Sequence, residues 1–268
     1  MRQRVLSWLG AGWLAMGVAH GAPPRAPEIA PRIGPEVAQA LRRFGPVTVL
    51  RTLPGPPGMT AALVRAGAQQ AVVWVLDHGA AVATGQVWNA RGEDLTRAMA
   101  IRFGLIPRPL APAAVAAAVA RLDSFTLGSG GPEITVFLDP NCIFCHRLYQ
   151  RAVPLLAAGR LRLRVVMVGF LKPTSFARAA AILGAPDPAR ALAADERGFD
   201  VTDEEGGIPP ATSIPPAIHA AVVADTRLLA RTGAEATPTL LYRDRAGHWR
   251  LMHHAPPEGL AALAAKLG

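Results

Sequence analysis

Ile134-Thr135-Val136-Phe137-Leu138-Asp139-Pro140-Asn141-Cys142-Ile143-Phe144-Cys145-His146 decides how this chain is read. A short run rich in β-branched and aromatic residues stops at a Pro-Asn turn, and a Cys-x-x-Cys pair then opens an apolar segment with helical spacing. These are the only 2 cysteines in 268 residues, so within the chain each can pair only with the other. Three residues of helix bring both sulfurs to one side within a turn, a spacing that fits a reversible disulfide. The same residues also spell Cys-x-x-Cys-His, a c-type haem attachment pattern. The surrounding sequence has to separate the two meanings.

Outward from the cysteines, residues 128–268 read as one block. The strand 134–138 leads into the cysteine helix, which continues through His146, Leu148, Tyr149 and Val153 until Pro154 kinks or ends it. Residues 162–168 turn from alternating to fully apolar, as a parallel strand buried on both faces does. Helical periodicity occupies about 174–230 (176–183, 187–195 and 216–230), interrupted by a polar, glycine-containing loop at 198–207. Strands at 239–242 and 248–253 and a helix at 257–267 close the block. Strand, helix, strand, helical insertion, hairpin and helix is a thioredoxin-like order. In that fold Ala236-Thr237-Pro238, just ahead of a strand, falls where a cis-proline loop faces the disulfide. Thr237 and Pro238 would then leave backbone groups free to bind an extended substrate.

The fold class expected is α+β: a small antiparallel N-terminal sheet, a linker helix, and the thioredoxin-like domain with its insertion. Residues 1–21 have the form of a secretory signal, with Arg2 and Arg4 ahead of an apolar run and small residues at Ala19 and Gly21, so cleavage is expected between Gly21 and Ala22. The apolar run is shorter than the ~20 residues that span a bilayer. Residues 22–35 are proline-rich, and 36–44 read as a short amphipathic helix. Strand-like runs at 47–52, 61–65, 71–76 and 80–88 are separated by turn chemistry. A sheet this small is hard to stabilise alone, and a second copy is one way to cover its exposed face or edge. Residues 22–92 are therefore expected as a dimerisation domain and 93–127, with the alanine-dense run 111–122, as a helical linker.

Bulk composition narrows the function classes. With 51% hydrophobic and 18% charged residues, the chain has a globular composition, neither membrane-spanning nor disordered. A net charge of +9 raises nucleic acid as a partner. The arginines are scattered, however, with no dense run and no interleaved aromatics, so no nucleic-acid binding is expected. No cofactor and no metal are expected either. The two cysteines with His253 and His254 match no common zinc spacing.

A dithiol catalyst needs one sulfur that is exposed and ionised near neutral pH, and a second able to resolve a mixed disulfide. Cys142 at a helix N-terminus suits the first role, because the helix dipole and free N–H groups favour a thiolate there. Cys145, one turn deeper, suits the second. His146 reads as a surface helix residue. A secretory signal beside a single cysteine pair places that pair where disulfides form and shuffle.

Phe137 to His146 resembles the active-site segment of the DsbC/DsbG thiol:disulfide interchange proteins. The likeness is stronger to DsbG through Val168-Gly169-Phe170-Leu171-Lys172-Pro173, Ala179 to Leu183 and Asp187-Pro188-Ala189. Gly58-Met59 and Gly85 to Leu95 resemble its dimerisation domain. The resemblance implies a V-shaped periplasmic homodimer with disulfide isomerase, reductase and chaperone activity. Its substrates would be unfolded, misoxidised or sulfenylated periplasmic proteins, and a DsbD-type membrane reductase would keep it reduced. It gives Cys142 the nucleophilic role, Cys145 the resolving role, and Thr237-Pro238 the cis-proline position. The departure is Ile143-Phe144, where the family has Pro-Tyr. Two other readings stand beside this one: a chaperone that binds unfolded chains without redox chemistry, and a haem protein using Cys142, Cys145 and His146.

Overall fold

In the computed structural model, which describes Gln39, Leu41 and residues 45–268, the chain divides into two units, Met1–Leu105 and Ile106–Gly268. The signal, the proline-rich leader and most of the expected helix at 36–44 lie outside the described residues.

The first unit is an antiparallel meander of β1 (Val47–Pro54), β2 (Met59–Ala66), β3 (Gln69–Leu76) and β4 (Ala81–Thr84). The two central strands bury both faces. Ala62, Val64, Val73 and Val75 pack with Leu41 on one side. On the other, Trp74, paired across the strands with Ala61, donates its indole N–H to Thr96 Oγ1 at 2.8 Å. Thr96 belongs to α1 (Leu95–Phe103), which is capped by Asp94 accepting from Arg97 N and closed by left-handed Gly104. The central strands thus need no second copy to cover their faces; in this sheet the outer edges of β1 and β4, and the edge of β3 at residues 69–72 beyond the end of β4, have no strand partner among the described residues. β4 stops at Thr84 and does not run to Trp88. The Thr96 hydroxyl donates to Gly85 O and accepts from Val87 N, holding that stretch to α1.

The second unit is a five-stranded sheet in the order β5-β7-β6-β8-β9. Its strands are β5 (Phe125–Leu127), β6 (Glu133–Leu138), β7 (Arg162–Met167), β8 (Thr239–Arg243) and β9 (Trp249–Met252). β6 and β7 are parallel, and β6–β8, β8–β9 and β5–β7 are antiparallel. Period-two alternation along β6 sends Ile134, Val136 and Leu138 to one core and Phe137 to the other. The first core is covered by α3 (Ile143–Ala157), α4 (Ser175–Leu183), α5 (Pro188–Arg197) and α7 (Leu260–Leu267), the second by α2 (Pro112–Val119); α6 (Pro216–Thr232) serves both, with Ile218 and Val222 in the first and Leu228 and Leu229 in the second. This is the thioredoxin-like arrangement: a mixed sheet with helices on both faces and the cysteine helix following the central strand.

Three details differ from the sequence expectation. Residues 93–127 are not one connector: α1 packs on β2 and β3, whereas Val115 and Val119 of α2 are buried in the second unit. The alanine-dense run is an amphipathic layer whose two valines face a sheet. The C-terminal half of α6 (Leu228, Leu229) packs on the sheet beside α2, while its N-terminal half (Ile218, Val222) packs with α4, so α6 ties the helical segment to the framework. Pro154 sits inside α3 without ending it; that late in the helix its missing N–H removes a single bond.

Candidate functional site

The turn after β6 puts Cys142 at the N-cap of α3. Its backbone is extended (φ −95, ψ 110) and its sulfur accepts the N–H of Cys145 at 3.3 Å. A sulfur in that position takes one of the N–H groups a helix start leaves free, and a negative charge there is favoured by the helix dipole. No acidic side chain lies in the first turn of α3 to oppose it.

The second wall comes from the other end of the unit. The Thr237–Pro238 peptide is cis, and Thr237 O accepts the Cys142 thiol at 3.3 Å. Thr237 Oγ1 is buried with no other partner, which leaves its hydroxyl available to the sulfurs. The structure thus brings Cys142, Cys145, Thr237 and Pro238 together. Both cysteines are free thiols, and both are buried: Cys142 is 4% exposed and Cys145 fully enclosed. The expectation of an open Cys142 is corrected here, because the Thr237 loop lies against it. It is still the more accessible of the two.

Their environments push the two thiols apart. Cys142 is drawn down to about 7, chiefly by the thiol of Cys145, which hydrogen-bonds to it against the opposing cost of burial. Thr237 and the backbone amides of Cys145 and Phe144 add to the effect. Burial pushes Cys145 well up, and its bond to Cys142 and the charge there push the same way. One sulfur is therefore ionised near neutrality while its neighbour keeps a proton.

The turn is locked by a buried polar network. Asp139 accepts from Asn141 N (3.0 Å) and Ser175 Oγ (2.8 Å) with one oxygen, and from Phe170 N (2.9 Å) and Leu171 N (3.1 Å) with the other. Burial raises the Asp139 carboxyl, against those four bonds. Asn141, the residue before Cys142, donates Nδ2–H to Thr174 Oγ1 and Ser175 Oγ and accepts Gly206 N–H at 2.9 Å. Asp139 also fixes the loop that presents Phe170 and Leu171, both exposed, as is Phe144 between the cysteines.

His146 is not the surface residue its position suggested. Its ring is buried under α5, with Nδ1 2.7 Å from Glu196 Oε2, Nε2 2.8 Å from Gln150 Nε2, and the Phe199 ring stacked at 4.4 Å. Both nitrogens are thus engaged, which disfavours His146 as an axial haem ligand. Among the described residues no group of three His, Cys, Asp or Glu is placed to hold a metal. Neither Glu196 nor the Asn141 network was visible in sequence, since their partners lie 33 to 65 residues away with no spacing rule to connect them.

No family model matches the chain. It is 29% identical over 220 residues to a protein of Pseudomonas aeruginosa named thiol:disulfide interchange protein DsbG, covering 80% of this chain and 82% of that one. It is 31% identical over 149 residues to the Escherichia coli protein of the same name, covering 54% and 58%. Among solved structures, the catalytic domain of Proteus mirabilis ScsC superposes with a TM-score of 0.44 at 15% identity, over 55% of this chain and 92% of that domain.

Proposed function

Because the chain belongs to the DsbC/DsbG-like thiol:disulfide interchange proteins, we propose that Cys142 is its nucleophile and Cys145 its resolving thiol. The observation that carries this is the split between the two sulfurs: one capping a helix and drawn down to about 7, the other enclosed and pushed up.

The Cys142 thiolate attacks a substrate disulfide, forming a mixed disulfide and expelling the substrate's other sulfur as a thiolate. With a sulfenylated cysteine it forms the same mixed disulfide, and the hydroxide expelled takes a proton from solvent and leaves as water. Either way Cys142 loses its negative charge, which removes one of the causes holding the Cys145 proton. Cys145 then deprotonates more readily and attacks Cys142, closing the internal disulfide and freeing the substrate thiol. If another thiol of the substrate first attacks the substrate sulfur of the mixed disulfide, a new substrate disulfide forms, Cys142 leaves as the thiolate, and the net result is isomerisation. Thr237 and Pro238 line the position where an extended substrate backbone lies beside Cys142.

Substrates are unfolded, misoxidised or sulfenylated proteins of the periplasm, which the chain reaches through a signal cleaved between Gly21 and Ala22. A DsbD-type membrane reductase restores the dithiol. Two copies pair through residues 22–92, for which the unpaired edges of β1 and β4 are available. Chaperone binding is the second role, supported by Phe144, Phe170 and Leu171 exposed around the dithiol. Replacing Cys142 with Ala tests the assignment. Recovery of a scrambled or sulfenylated protein is expected to stop while suppression of its aggregation continues; recovery at the wild-type rate refutes the redox role.

A further inference from the structure

His146 and Glu196 are joined by a 2.7 Å contact between Nδ1 and Oε2 inside the protein, their side chains 8% and 3% exposed. His146 follows Cys145 directly, and its amide donates to Cys142 O at 2.9 Å. Gln150 and Phe199 fix the ring from two further sides. Imidazole and carboxylate at that distance, removed from water, hold a proton between them.

We propose that His146 and Glu196 form a proton-holding positioning pair for the dithiol, taking up a proton as the Cys142–Cys145 disulfide is reduced and releasing it as the disulfide forms. Reduction by two thiols, such as glutathione, breaks the S–S bond and delivers two electrons. Cys145 takes one proton and Cys142 stays a thiolate, so a negative charge appears where the disulfide had none. That charge strengthens proton binding at Glu196; conversely, a proton held there favours the thiolate. The reverse step returns the electrons to the oxidant and the proton to solvent.

The electrostatic setting agrees with this geometry. Burial first, then Asp195, then Cys142 raise the Glu196 carboxyl to about 8, while burial and Arg147 lower His146. Tyr149, raised by its own burial and by Glu196 and lowered by Arg197, is the remaining titratable neighbour on α3. Near neutral pH the pair carries one proton and no net charge, poised to respond to Cys142.

The inference rests on the thiol–disulfide reading, and one experiment separates them. The equilibrium between full-length protein and glutathione redox buffers is measured from pH 6 to 9 for wild type and Glu196→Gln. In wild type the equilibrium constant is expected to change with pH by about two- to fivefold more per unit than in the variant near pH 7–8, the limit for one extra proton being about tenfold. Nitrogen NMR of the His146 ring in wild type, oxidised and reduced, is expected to show different titration midpoints in the two states and needs no variant. Parallel pH profiles together with a His146 titration indifferent to redox state overturn the proposal and leave the dithiol reading intact. A wild-type protein that forms no reversible Cys142–Cys145 disulfide overturns both.

Discussion

Replacing Cys145 with Ala isolates the largest cause of the low Cys142 value. With its thiol at about 7, Cys142 is roughly half ionised at pH 7, against about 1% for a thiol at 9.0. A hydrogen bond to a charged group contributes about 1.5–3 kcal/mol, and each pKa unit is about 1.4 kcal/mol. Losing the Cys145 thiol should therefore raise the Cys142 midpoint by about 1–2 units, leaving roughly 1–10% thiolate at pH 7. Intrinsic nucleophilicity rises with pKa, with a Brønsted slope of about 0.4–0.5. Iodoacetamide alkylation at pH 7 should accordingly slow by only about two- to eightfold. The titration midpoint, followed by thiolate absorbance near ~240 nm and by the pH profile of alkylation, is the more direct readout. Wild type and Cys145→Ala are compared as reduced proteins; the enclosed Cys145 contributes little to the wild-type signal, since its proton is held well above the usual thiol range. A midpoint still at 7 in Cys145→Ala would refute the reasoning and assign the low value to the helix N–H groups and Thr237.

Other perturbations test the scaffold. Asn141→Ala removes two side-chain donor bonds and leaves Gly206 N–H without its acceptor. The expected loss is about 2–4 kcal/mol in urea unfolding, with faster amide exchange at Gly206; an unchanged unfolding midpoint contradicts the network. Gly169→Ala puts a methyl group 2.5 Å from Phe176 Cα, and the required backbone shift should cost about 1–3 kcal/mol, read as a lower Tm. Asp225 is fully buried with neither oxygen paired, and burial, with Asp123 adding, holds its carboxyl at about 8 against an ordinary 3.8. The folded state thus keeps a proton that the unfolded chain releases, so this group's contribution to stability falls as pH rises from about 4 to 8 and then levels off. Asp225→Asn should flatten that decline, gaining on the order of 1–4 kcal/mol over wild type at pH 8 and little at pH 4. Equal pH slopes in the two proteins would count against an unpaired buried carboxyl.

Much of the architecture was legible because it follows from local pattern. The β-branched and aromatic run at 134–138, the Cys-x-x-Cys at the start of a helical segment, and the turn chemistry between the N-terminal strands each depend on residues a few positions apart. β5 escaped notice because Phe125–Leu127 is three residues long and pairs only with β7. The alanine-dense run read as a connector because alanine reports helix propensity and says nothing about which face is covered. Two valines among the alanines carried that information.

Sequence alone determined that there is one cysteine pair, that it begins a helix after a strand, and that a Thr-Pro precedes a later strand. These are properties of composition and spacing, and the N-cap position of Cys142 follows from them. Tertiary structure decided what kind of sulfur each cysteine carries. Cys142 lies against a carbonyl 95 residues further along the chain, and His146 is buried by a carboxyl 50 residues away. Burial and charge act through space: a thiol or carboxyl responds to whatever the fold sets within a few ångströms, and residues at such separations in the chain leave no periodic mark in the sequence.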